Sequence, residues 1–118
     1  MKTFETACAQ GDVHITRIAS LPAGAAPVAA DKGRVVVTHS ETGHDHVMVL
    51  DRPVDGVPAV QMFNGEDPLT SWLQVNRPTA LEHLRPHDTH EPILFSPGVY
   101  EVRRQREYTP EGFRRVED

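Results

Sequence analysis

The chain has 118 residues, 38% of them hydrophobic, and a formal charge of −5 with histidines neutral. That length fits one domain, able to bury roughly two-thirds of the surface its unfolded chain exposes, so a single core is feasible without disulfides. The acidic balance excludes the footprint of a general nucleic-acid binder, and no run of about 18 apolar residues is present to span a membrane as a helix.

Met1 to Gln10 lacks the basic start and apolar stretch of a signal peptide. With Cys8 as the single cysteine, no internal disulfide can form, and a cytoplasmic setting is the expectation. This N-terminal segment is expected to be loosely held, with Cys8 as a small neutral residue. Ten prolines and eight glycines interrupt the chain too often for long helices. Gly11-Asp12 is a turn that launches a strand over Val13–Ile18, with Val13 and Ile15 on one face and His14 and Thr16 on the other. Leu21–Ala30 contains Pro22 and Pro27 and reads as a surface loop. Gly33 opens a strand over Arg34–His39, whose Val35-Val36-Val37 suits a strand covered on both faces.

Ser40-Glu41-Thr42-Gly43 has turn chemistry. Beyond it, His44–Leu50 alternates, with His44, His46, Met48 and Leu50 on one face and Asp45, Val47 and Val49 on the other. Two such runs around four turn residues predict a hairpin. Asp51–Pro58 is a turn-rich link. Strands are then expected at Ala59–Phe63, Thr70–Val75, Thr79–Leu84, Glu91–Phe95 and Val99–Arg104, with Arg85–Thr89 as a loop. In the last of these, parity puts Tyr100 and Val102 toward the core and Glu101 and Arg103 outward. Thr109-Pro110-Glu111 offers an N-cap, a proline and an acid, which predicts a short helical turn before the tail. The expectation is an all-β fold, one domain over residues 1–118, forming a small barrel or sandwich of about seven or eight short strands. The alternative is a sheet with one short helix packed on it.

Six of the seven histidines fall in two clusters: His39, His44 and His46, then His83, His87 and His90. On a strand, His44 and His46 leave the same face about 6.5–7 Å apart, a spacing from which two imidazoles converge on one ion. His39 lies across the proposed turn. If Thr79–Leu84 and Glu91–Phe95 pair, His83 and His90 flank their loop. Imidazole is the commonest side-chain ligand for zinc, so His44, His46, His83, His90 and His39 are the candidate ligands for a divalent transition metal, zinc first. Asp45, Glu82, Asp88 and Glu91 are candidate carboxylates. Three imidazoles plus a carboxylate make an ordinary zinc site. His14 is read as a solvated residue, and a cluster titrating together near pH 6 is a further reading of the histidines.

No nucleophile elbow, phosphate-binding loop or H-E-x-x-H motif is present. An enzymatic reading would rest on an open metal position that activates water or dioxygen, and no catalytic residue is assigned. Arg103, Arg104, Arg106, Arg114 and Arg115 are balanced by Glu107, Glu111, Glu117 and Asp118, so the C-terminal part reads as a salt-bridged edge. Tyr108 and Phe113 leave a small RNA or protein contact open there.

Two resemblances add to this. His44-Asp45-His46 followed by Asp51 resembles the first motif of the cupins, small metal-binding β-barrels. It departs from them at Thr38, where the motif has glycine, and at Val99-Tyr100-Glu101, where a histidine would follow the Pro-Gly turn. Gly11-Asp12-Val13, Ser40-Glu41-Thr42-Gly43-His44 with His46, His83, His90-Glu91-Pro92-Ile93, Pro97-Gly98-Val99-Tyr100 and Arg104-Gln105-Arg106-Glu107-Tyr108-Thr109-Pro110 together resemble a family of short uncharacterised proteins encoded in bacterial and phage genomes. The functional expectation is a small divalent-metal-binding β-domain acting as an accessory or phage-related factor. The alternatives are a metal-dependent enzyme with a cupin-like site, and a structural or virion interaction module, in which a protein partner or a second copy would be bound.

Overall fold

The computed structural model of the chain describes residues 1–38, 45–83 and 91–104 in full and the backbone of 106–109 and 112–115. Thirteen short strands run through them: β1 (Lys2–Thr3), β2 (Ala7–Gln10), β3 (Val13–Ile18), β4 (Ala26–Val28), β5 (Arg34–Thr38), β6 (His46–Val49), β7 (Val60–Asn64), β8 (Thr70–Val75), β9 (Thr79–His83), β10 (Ile93–Phe95), β11 (Gly98–Arg104), β12 (Arg106–Thr109) and β13 (Gly112–Arg115). The all-β expectation holds. The strand number exceeds the expected seven or eight because several strands are only two to four residues long, below the length at which periodicity registers.

One sheet has the order β1-β10-β9-β6-β5 and the other β2-β3-β11-β8-β7-β4, while β12 and β13 form a sheet of their own. Both larger sheets have open edges, so the architecture is a sandwich and not a closed barrel. Ladders are antiparallel except for β1 on β10. The expected hairpin of β5 with β6 is present, and so is that of β9 with β10. The two hairpins lie side by side because β6 also pairs with β9.

The helical turn expected after Thr109 gives way to strand. Gly112–Arg115 pairs back on Arg106–Thr109, with Tyr108 opposite Phe113. Thr-Pro-Glu-Gly carries turn chemistry as much as helix-start chemistry, and the aromatic residues on either side favour a ladder.

The core lies between the two sheets and contains Val13, Ile15, Met48, Leu73, Leu81, Phe95 and Tyr100. Its members follow period two: Leu73 and Val75 from β8, Tyr100 and Val102 from β11, all at most 2% exposed. Glu101 and Arg103 of β11 pair with each other on the outer face, as parity requires. At one end Phe4, where the chain crosses from the first sheet to the second, meets Phe95 at 4.8 Å and Tyr100 at 5.5 Å between ring centroids. The opposite end of the sandwich is polar.

One expectation about β5 is corrected. Val35 and Val37 are buried, but Val36 is only half-buried, so the valine run is not covered equally on both faces. The register shifts between Val36 and Thr38, a bulge that inserts one residue. It leaves Thr38 opposite His46 and buried.

Candidate functional site

The polar end of the core is built by three hairpins. In β6 and β9, His46 and His83 share parity with Met48 and Leu81, so their side chains enter the core. They are direct cross-strand partners, which places their rings at 4.2 Å between centroids with planes only 4° apart. Both residues are buried. The third hairpin joins β2 to β3 through Gly11 and Asp12, and only Gly11 takes positive φ there (61°). This turn brings Gln10 and Asp12, both buried, against the histidine pair from the facing sheet.

Gln10 fixes the chemistry of His46. Its Nε2 donates to the carbonyls of Leu81 and Glu91, each at 3.1 Å, so the amide has one orientation and its Oε1 faces His46 Nδ1 at 2.8 Å. A carbonyl oxygen only accepts, so Nδ1 carries the proton. In the neutral ring the lone pair is then on Nε2, the nitrogen that stands 3.9 Å from Asp12 Oδ1. Asp12 Oδ2 in turn lies 3.8 Å from Arg104 Nε. Arg104 shares parity with Tyr100 and Val102, so its side chain also enters the sandwich, 14% exposed.

Of the candidate ligands, His46 and His83 are brought together, so the two sequence clusters meet through one residue of each. His39, His44 and His90, together with His87 and Asp88, lie outside the described residues. Glu82 neighbours His83 and leaves the other face of β9, Glu91 is exposed, and Asp45 precedes β6. Among the described residues, no group of three or more His, Cys, Asp or Glu side chains has the geometry to hold a metal ion. His14 is exposed. Cys8 is half-buried, and burial pushes its thiol up to about 11, with Lys2 pulling the other way. It therefore stays a neutral thiol.

Gln10, Asp12 and Arg104 were not expected at this site. A signal existed for Arg104, which falls on the core-facing parity of its strand. Gln10 precedes the Gly-Asp turn and Asp12 is part of it, but nothing in the sequence says which sheet that turn faces.

No helix among the described residues is long and apolar enough to cross a membrane. No curated protein matches the chain, and no solved structure does. A family model matches residues 9–105, a span that holds Gln10, Asp12, His46, His83 and Arg104 and leaves out β1, β12 and β13. The chain belongs to that family, described as a domain of unknown function, DUF8820.

Proposed function

We propose that the chain is a divalent-metal-binding β-domain, an accessory factor of the bacterial and phage kind that its sequence pattern resembles. His46 Nε2 is the anchoring ligand in this reading. The observation that carries it is the hydrogen bond from His46 Nδ1 to Gln10. Ligating histidines are commonly oriented through the other ring nitrogen in this way, which fixes the tautomer and raises ligand basicity. Asp12 supplies the nearby carboxylate. Two metal–ligand bonds of about 2.0–2.2 Å reach across the 3.9 Å between Nε2 and Oδ1. His83 joins the same ion by turning about its Cβ–Cγ bond, because lone pairs in parallel rings do not converge. His39, His44 and His90 remain candidates to complete the set, with zinc the first choice for imidazole and carboxylate donors.

The parallel ring planes favour a second reading, an interaction module in which the pair only packs the core. Zinc titration by calorimetry on untagged protein separates the two. In the metal reading wild type binds one zinc saturably. His46→Ala loses binding by at least 100-fold, folded Gln10→Leu weakens it about 10–100-fold, and His14→Ala matches wild type. Zinc raises the thermal midpoint by mass action, and affinity falls as pH drops through about 6, because ligation needs the unprotonated imidazole. Equal affinity in wild type and His46→Ala, or no saturable binding, leaves the packing reading.

A further inference from the structure

A cleft of about 240 Å³ opens between the two sheets beside the polar end of the core. Its apolar wall includes Val36 and Met62, and its polar wall includes Thr38, Ser71, Asn64 and Arg104. Among the described residues that line the cleft, Arg104 is the one ionised side chain. Its guanidinium forms an ion pair with Asp12, but at 3.8 Å that contact is beyond hydrogen-bond reach. Among the described residues, the buried Nε–H donor of Arg104 has no hydrogen-bond acceptor.

We infer that the cleft binds a small carboxylic acid, its carboxylate on Arg104 and its apolar body against Val36 and Met62. The planar guanidinium fork matches a carboxylate two-to-two, a geometry no neutral acceptor reproduces. The Thr38 and Ser71 hydroxyls, both on buried residues, add donors on the same wall. The volume equals about eight waters of bulk liquid, which limits the body to roughly four to eight carbons. Arg104 pairs with Asp12, the carboxylate of the metal proposal, but this inference needs no ion.

The test uses the full chain in chelator-treated buffer, so its outcome does not depend on zinc. Hexanoate, hexan-1-ol and hexylamine are titrated into isotope-labelled protein and followed by two-dimensional NMR. Saturable shifts at Thr38, Ser71 and Val102 are expected with hexanoate, and at least tenfold weaker binding with the alcohol and the amine. Arg104→Gln should weaken hexanoate at least tenfold, and Arg104→Lys should recover part of that loss. Val36→Trp narrows the cleft with Arg104 itself unchanged in sequence and should abolish binding. Equal affinity for hexanoate and hexan-1-ol overturns the inference, as does wild-type affinity in folded Arg104→Gln. Should Arg104→Gln fail to fold, Val36→Trp decides: retained hexanoate binding there also overturns it.

Discussion

Tyr100 shows how one side chain serves both the apolar and the polar demands of this core. Its ring is fully buried against Phe95 at 4.8 Å between centroids. Its hydroxyl donates to the Ser96 carbonyl at 2.6 Å and accepts from Arg17 Nη2 at 2.7 Å. Arg17 also donates to the carbonyls of Glu5 and Pro97, so the phenol sits in a network joining the N-terminal segment, β3 and the β10–β11 turn. Tyr100→Phe is expected to cost about 1–2 kcal/mol, from the lost hydroxyl bonds. Tyr100→Ala is expected to cost about 3–5 kcal/mol through the cavity it leaves. Urea denaturation checks both, and an unchanged midpoint in the alanine variant would contradict the packing described. The inward face of Tyr100 was legible from parity alone. The same parity pointed Arg104 inward, but a terminal arginine near acidic residues reads equally well as a solvated edge. The histidines drew notice by number, whereas Gln10 acts on His46 only through a fold that sets β2 against the other sheet.

Among the elements, those readable in the sequence were alternating runs of five or six residues between turn signals. Thr70–Val75 is placed with the expected bounds, and β3 likewise. Several strands escaped, β2, β12 and β13 among them. Strand β4 contains Pro27 and looked like a loop, yet among the described residues it pairs with β7 alone, at the edge of its sheet, where a missing N–H is tolerated. Strand β1 is two residues long, too short for any pattern. The β2–β3 hairpin depends on Gly11, whose φ of 61° is strained for a β-branched residue. Gly11→Val is expected to cost about 1–2 kcal/mol and to lower the thermal midpoint by roughly 4–10 °C. Gly11→Asn should stay close to wild type, because asparagine visits that conformation. Calorimetric scans compare the three proteins, and equal midpoints for valine and glycine would show that the turn geometry is not limiting.

For the molecule as a whole, the family span and the sheet boundaries agree at the C-terminus. The match ends at residue 105, one residue past β11, and β12 pairs with β13 in a sheet apart from the other two. A chain ending at Gln105 is therefore expected to keep the far-UV circular dichroism signature of β-structure and a cooperative thermal transition within about 3 °C of the full chain, a shift on the order of 1 kcal/mol or less. Loss of cooperative unfolding in the shortened chain would show that the terminal hairpin belongs to the sandwich.

The ladder between β6 and β9 has a consequence for assembly. Each strand reaches its nearest partner through its own hairpin, and the chain between them travels to the other sheet to form β7 and β8. Either hairpin alone holds only one of the two stacked imidazoles. The ring pair therefore comes into being when the hairpins dock, after the entropic cost of closing that long excursion has been met. A molecule gripping both rings acts as a clasp across the docking seam, and its grip registers completed topology, which no local segment of the chain can imitate.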